Sequence, residues 1–84
     1  MYRVLLESAA EKDLGRLSPE LHDRVIGSIQ KLAANPRPPG CRKLAGSMND
    51  WRIRVSDHRI IYEIEDQACI VRVNRVRHRR EVYR

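Results

Sequence analysis

The sequence predicts a single α+β domain over residues 1–84, in which two N-terminal helices pack on one face of a small, mostly antiparallel sheet. A chain of 84 residues has room for one small core only. Apolar residues recur at helical spacing in the first 35 or so positions, whereas from residue 51 onward they follow the two-residue period of strands. The predicted element order is β-α-α-β-β-β.

A strand and a first helix are predicted at the N-terminus. The run "YRVLL" at residues 2–6 is typical of a short strand. Ser8 and Glu11 have the spacing of a capping box, whose two side chains satisfy N–H groups at the start of a helix. A first helix is therefore expected over residues 9–16.

A second helix is predicted from "SP" at residues 18–19, where a capping hydroxyl precedes a proline at the first helical position. Asn35 and Pro36 end it, because the residue before a proline is pushed out of the helical region. The apolar stripe of this helix consists of Leu21, Val25, Ile29, Leu32 and Ala33.

The remaining chain predicts a proline-rich loop and then three strands. The loop contains a brief edge strand at residues 41–44. "WRIRV", "HRIIYEI" and "ACIVRVNRV" predict strands at residues 51–55, 58–64 and 68–76, separated by short turns. In the first of these, Trp51, Ile53 and Val55 are expected to face the core.

The charge of the chain indicates a polyanionic partner. Lys and Arg number 17 against 11 Asp and Glu, a net charge of +6, and only three of the basic residues are lysines. Arginine carries a planar donor fork that fits phosphate. Residues 51–84 hold nine arginines against five acidic residues, so a phosphate-binding surface is expected in this half.

The alternating arginines predict a basic cluster on the open sheet face. Arg52 and Arg54 lie two apart on one strand and project to the same side, and Arg59 can lie beside them across the hairpin. The tail "RVRHRREVYR" brings Arg79 and Tyr83 and can fold back over this face. Such a cluster can clamp a phosphodiester and stack a base. The same alternation is also typical of a solvated face without a ligand.

Other kinds of site have little support in the sequence. The three histidines and two cysteines lack metal-ligand spacing, and there is no glycine-rich phosphate loop, so neither metal nor cofactor is expected. His78 is a candidate general base near neutral pH. With no apolar run of membrane-spanning length, no signal peptide and no disulfide framework, a reduced cytoplasmic protein is expected.

The segment "LAGSMNDWRIRVSDHRIIYEIEDQACIVRVNRVRHRREVY" resembles the C-terminal half of the RelE family of bacterial toxins. The family pattern is a Leu-x-Gly turn, an aromatic–basic–aliphatic–basic strand, "x-x-Arg-aliphatic-aliphatic-Tyr" and a closing "x-His/Gly-x-Arg-x-x-x-Tyr". Residues 59–62 are shared by the wider RelE/ParE superfamily, whereas residues 77–83 point to its ribonuclease branch.

The resemblance implies a toxin that enters the ribosomal A site and cuts mRNA there by 2′-hydroxyl attack, without metal. By position, Arg52 and Arg54 stand in place of the family's basic pair, and Arg59 matches its phosphate-binding arginine. Arg79 matches the arginine at the end of the last strand. Tyr83 matches the C-terminal tyrosine that stacks on or orients the nucleotide.

One departure from the family bears on the proton transfer. Some members carry lysines where this chain has Arg52 and Arg54, and arginine does not release its proton. The pair is therefore expected to act electrostatically, and either His78 or Tyr83 is expected to handle the proton.

The implied partners are a RelB-like antitoxin, the 70S ribosome and its mRNA, with no membrane. The antitoxin is expected to cover the helices and the open face. The toxin–antitoxin complex is expected to bind operator DNA through the antitoxin. Two other functions remain open: a ParE-like poison of DNA gyrase, and a nucleic-acid-binding module without catalysis.

Overall fold

The computed structural model describes residues 1–46 and 49–82, with side chains for residues 1–46 and 49–80. The α+β class and the predicted order of elements are confirmed, with a short helix added after the last strand. In chain order the elements are β1 Arg3–Leu6, α1 Ser8–Gly15, α2 Pro19–Lys31, β2 Arg42–Lys43, β3 Asp50–Val55, β4 His58–Glu65, β5 Ile70–His78 and α3 Arg79–Val82.

The strands form one mixed sheet in the order β1-β5-β4-β3-β2. The pairs β2–β3, β3–β4 and β4–β5 are antiparallel, whereas β1 runs parallel to β5, with Arg3 opposite Ile70. Helix α1 packs against β5 and α2 against β3. Helices α1 and α2 therefore cover one face of the sheet, as predicted, and leave the opposite face open.

The core forms where the helical stripe meets the alternating strands. Its members are Ala10, Leu14, Val25, Ile29, Leu32, Ile53, Val55, Ile60, Tyr62, Ile64, Val71, Val73 and Val76. Full burial of an aliphatic side chain of this size contributes about 1.5–3 kcal/mol. Tyr62 is completely buried, and its hydroxyl donates to the carbonyl of Pro36 at 2.7 Å, which satisfies its polar end. Trp51 packs against this core from its margin, partly buried.

The predicted start of α2 is confirmed and that of α1 is wrong. The hydroxyl of Ser18 accepts from the N–H of Leu21 at 3.4 Å. Helix α1 instead begins at Ser8, with Glu7 as its N-cap residue and no side-chain cap. The N–H of Glu7 donates to the carbonyl of Val73, so the chain turns into the helix directly from the sheet. The carboxylate of Glu7 accepts from the amide of Asn74 at 2.6 Å.

The last strand lies two residues further along the chain than predicted. Cys69 has a positive φ of 54° and its N–H donates to the carbonyl of Asp66, so residues 66–69 form a turn. At the other end the pairing continues to His78, opposite His58. A β-bulge leaves Asn74 as an extra residue opposite β4, and this keeps Val73 and Val76 both in the core although they are three positions apart.

Candidate active site on the open sheet face

Three arginines form a row across the uncovered face of the sheet. Arg54 on β3 is opposite Arg59 on β4, which is opposite Arg77 on β5. Residues that are directly opposite across antiparallel strands project to the same face. The expected neighbourhood of Arg54 and Arg59 is therefore confirmed, and the register adds Arg77.

A second pair of arginines lies next to this row, nearer the sheet edge. Arg52 is two residues from Arg54 on β3, a distance of about 7 Å along the strand, and it is opposite Arg42 on β2. A depression on this face is lined by Gly40, Arg42, Arg52, Arg54 and Arg59. We refer to Arg42, Arg52, Arg54, Arg59 and Arg77 together as the arginine face.

The electrostatics of the arginine face favour an anion. Arg59 is only 9% exposed and lies between two other arginines in the row. Arg54 is exposed, and its Nε donates to the carbonyl of Ser56 at 3.0 Å, which orients the guanidinium without neutralising it. Among the described residues, none that lines the depression carries a carboxylate. A phosphate can therefore take several charge-assisted hydrogen bonds here.

The part of the tail that follows β5 begins close to the row of arginines. The N–H of Arg79, the first residue of α3, donates to the carbonyl of Asp57 at 2.7 Å. Asp57 lies in the turn that joins β3 to β4, next to the opposed pair Arg54 and Arg59. The backbone of Arg79 is therefore close to the arginine face, and its side chain is exposed. Tyr83, the other predicted residue of the tail, lies outside the described residues.

His78 is placed differently from its neighbours. Successive residues of a strand point to opposite faces, so His78 projects away from the side that carries Arg77. Its ring meets the ring of His58 edge-on, with centroids 5.3 Å apart. The Nδ1 atom of His78 accepts from the N–H of Arg80 at 3.2 Å. The structure therefore does not bring His78 into the row.

Two members of the arginine face were not predicted from the sequence as site residues. Arg77 lies beyond the predicted end of the last strand at residue 76, although the alternation continues through "RVRH". Arg42 lies in the predicted edge strand, but its partner could not be known without the register. Carried on from Val71 and Val73, the two-residue period would put Arg77 on the core side, and only the bulge at Asn74 turns it to the open face.

Arg75 belongs to the structural framework. Its Nε and Nη2 donate to the carboxylate of Asp13 at 2.8 and 3.1 Å, and the N–H of Val76 donates to the same group at 2.9 Å. Burial raises the pKa of Asp13, but these hydrogen bonds and the charge of Arg75 outweigh it and hold the pKa below its usual range. The contact fastens α1 to β5 beyond the end of β1.

Another group of hydrogen-bonded polar side chains lies at the opposite end of the sheet from the contact between Asp13 and Arg75. Asp66 accepts two hydrogen bonds from Arg37, at 3.1 and 2.8 Å, and one from the hydroxyl of Tyr2 at 2.6 Å. Arg37 first, and then Tyr2, lower the pKa of Asp66 to about 2. The guanidinium of Arg37 also lies 5.1 Å from the ring centroid of Trp51. Trp51 therefore contacts both the margin of the core and the guanidinium of Arg37.

Residues 1–46 and 49–82 lack two further kinds of feature. No helix in these ranges is long and apolar enough to cross a membrane. No group of three or more His, Cys, Asp or Glu side chains there could hold a metal ion.

Comparison with known proteins gives the family of the chain. The family model of the ParE toxin of the type II toxin–antitoxin system parDE matches residues 4–83. Toxin RelG of Mycobacterium tuberculosis is 30% identical over 87 residues, which cover 99% of this chain and 97% of that protein. The chain therefore belongs to the RelE/ParE superfamily of type II toxins, and within it the RelE resemblance is confirmed.

Solved structures agree with this assignment. A chain of the toxin–antitoxin complex RelBE2 from Mycobacterium tuberculosis superposes with a TM-score of 0.81 at 25% identity, covering 92% of this chain and 96% of that one. The archaeal RelE–RelB complex from Pyrococcus horikoshii gives 0.83 at 24% identity, with 93% and 94% covered. The isolated E. coli RelE toxin gives 0.81 at 24% identity, with 99% and 92% covered. The last two show the fold alone.

Proposed function

We propose that the protein is a ribosome-dependent endoribonuclease that cuts mRNA in the ribosomal A site and so inhibits translation. The observation that carries the proposal is the row of Arg54, Arg59 and Arg77 across the open sheet face, with its middle member almost fully enclosed. Concentrated arginine charge on a rigid sheet suits the stabilisation of a phosphorane-like transition state. Family membership supports the proposal, since relatives carry the names RelE and RelG.

The chemistry needs no nucleophile from the protein. The 2′-oxygen of the substrate bonds to the neighbouring phosphorus while its proton passes to a base. The bond from phosphorus to the 5′-oxygen breaks, and this oxygen takes up a proton. The products are a 2′,3′-cyclic phosphate and a 5′-hydroxyl end. Negative charge builds on the phosphoryl oxygens, and charge-assisted hydrogen bonds from arginine stabilise it.

We assign roles within this scheme as follows. Arg59 binds the scissile phosphate, and Arg52 and Arg54 stabilise its charge, because arginine stays protonated and cannot act as a base. Arg79 adds a positive charge from the start of the tail, and Tyr83 stacks on or orients the nucleotide. None of these roles uses a metal or cofactor.

The general base is assigned to Tyr83 or His78. The hydrogen bond from the N–H of Arg80 occupies the Nδ1 lone pair of His78, and strand alternation turns the ring away from the row; both features favour Tyr83. Single-turnover rates between about pH 5 and 8 separate the two. An inflection that His78→Gln removes supports histidine, whereas a log-linear profile without inflection excludes it.

The proposed partners follow from family and charge. We propose a cognate RelB-like antitoxin that covers the arginine face with an acidic or amphipathic segment and displaces the tail. Solved RelE–RelB complexes support a partner of this kind. In the same proposal the protein acts in the cytoplasm, and the complex binds operator DNA through the antitoxin.

A ParE-like action on DNA gyrase is the second candidate. The matching family model bears the ParE name, and this observation favours it. Inhibition of gyrase supercoiling without cleavage of ribosome-bound mRNA would support it. A binding module without catalysis would instead show neither activity, and its salt-sensitive RNA binding would be spread over many arginines.

Cleavage of mRNA on programmed ribosomes tests the proposal. Wild-type protein is compared with Arg59→Ala, Arg79→Ala and Tyr83→Ala, with free mRNA as a substrate control. We expect cutting only on ribosomes, with single-turnover rates lowered about 100-fold or more in each variant. Arg72→Ala is the matched control, because Arg72 pairs with Glu65 at the other end of β5. Absence of cleavage by the wild type, with ribosomes intact, would overturn the proposal.

A further inference from the structure

A second basic surface lies around the edge of the sheet from the arginine face. It is a groove between α2 and β3, lined by Arg24, Gly27, Ser28, Lys31, Arg54, Val55 and Ser56. An adjoining depression shares Ser28, Lys31 and Arg54 and is bounded by Pro38, Pro39 and Gly40. We call the two together the α2–β3 groove.

On the α2 side of this groove, two basic side chains are separated by two small residues, which form the floor of the groove. Arg24 and Lys31 are seven residues apart on α2, with Gly27 and Ser28 between them, so all four lie on one helical face. A Cβ atom added at Gly27 would have no neighbour within 4 Å. The floor is therefore open to a ligand, and the two long basic side chains stand at its ends.

Arg54 connects the groove to the arginine face. It lines the groove from β3 and also lines the depression that contains Arg52 and Arg59. Among the described residues that line the groove, none is acidic. Positive charge is thus continuous from the open sheet face, around the β3 edge, to α2.

We infer that the α2–β3 groove binds the phosphodiester backbone of structured RNA, separately from the strand that the arginine face handles. The inference rests on the proposed function, since a toxin that works on the ribosome meets folded RNA beside its mRNA substrate. Phosphates recur along a nucleic acid backbone and suit cations spaced along a helix with small residues between them. Arg24 and Lys31 are binding residues in this assignment and take no part in the chemistry.

A bulky acidic side chain at the floor provides the first test. Gly27→Glu fills the groove and adds a negative charge, and it leaves the core alone because the site is open. Replacement of glycine within a helix also favours folding. Gly15→Glu is the matched control: it is the same change, at another glycine with open space around it, on α1. On programmed ribosomes we expect KM to rise about tenfold for Gly27→Glu only, with kcat unchanged.

Removal of the two charges provides the second test. Affinity for a labelled RNA hairpin is measured between about 50 and 200 mM salt for Arg24→Gln/Lys31→Gln and for the control Lys12→Gln/Arg16→Gln. Both controls are exposed basic residues outside the groove. Loss of two phosphate contacts lowers the slope of log K against log salt by about two, and we expect this for the groove pair alone.

The outcomes separate this inference from the proposed function. If the wild type cleaves nothing, the nuclease proposal fails and the hairpin measurement still decides about the groove. Equal behaviour of groove and control variants in both tests would overturn the groove assignment. It would equally be overturned if the groove variants bound RNA normally and lost only antitoxin binding, because the groove would then be a site for an acidic protein segment.

Discussion

Charged side chains serve two different purposes in this protein. Arg37 and Arg75 are held by carboxylates, which fix them in place and neutralise them locally. Arg54 is oriented instead by a backbone carbonyl and keeps its full positive charge for a ligand. Pairing with a carboxylate therefore distinguishes these framework arginines from Arg54 in the candidate site.

Asp13 and Asp66 both have a lowered pKa in the folded protein, and Asp13 is the buried one of the two, through which we expect part of the acid stability to be lost. Its pKa is lowered in the folded protein, so its stabilising contribution is complete above about pH 4, the usual value in an unfolded chain, and is lost as the pH falls through the folded value. We expect Asp13→Asn to lower the free energy of unfolding at pH 7 by about 2 kcal/mol, given the partly exposed Arg75 partner. Urea unfolding from neutral to acid pH measures both effects.

Asp23→Asn is the control for this prediction. The side chain of Asp23 is 87% exposed and lies 3.6 Å from His22. We expect its stability curve to follow that of the wild type, whereas the curve of Asp13→Asn is flatter below about pH 4. Parallel acid loss in wild type and Asp13→Asn would contradict the assignment.

At the level of helices and strands, the sequence predicted those features that depend on residues close together in the chain. "WRIRV" alternates so regularly that β3 and its two faces could be recognised, and Ser18 with Pro19 gave the start of α2. The limits of β5 depend on distant partners and were missed. The bulge at Asn74 breaks the two-residue period, and only the pairing with β4 shows how the strand continues.

The two serines near the helix starts offer a direct test of capping. Ser18 accepts a hydrogen bond from Leu21 at 3.4 Å, whereas α1 has no side-chain cap and Ser8 is already its first helical residue. We expect Ser18→Ala to lower the free energy of unfolding by about 0.5–1 kcal/mol, and Ser8→Ala to change it by less than about 0.5 kcal/mol. Chemical denaturation of both variants measures the difference. Equal losses would restore the capping box that the sequence suggested.

The whole molecule assembles its candidate site from four strands. Charge and alternation predicted Arg52, Arg54 and Arg59 on one face, because those residues lie on a single hairpin. Arg42 and Arg77 join them only through strand pairing, which has no signature in the local sequence. The contact between Asp13 and Arg75 spans 62 positions and is equally invisible to local patterns.

The same concentration of charge predicts how salt affects folding. A net charge of +6 in a molecule with a radius of gyration of 11.9 Å produces self-repulsion, which the unfolded chain relieves by expanding. Added salt shortens the screening length from about 30 Å at 0.01 M to about 8 Å at 0.15 M, so Tm should rise over this range. The exposed pair Arg37–Asp66 acts in the opposite direction, but surface pairs of this kind contribute about 0–1 kcal/mol each. Calorimetry in sodium chloride at pH 7 measures the balance, with Arg37→Gln as the control variant that removes the pair. A fall of Tm with salt in the wild type, abolished in this variant, would show that the ion pair outweighs the repulsion on the arginine face.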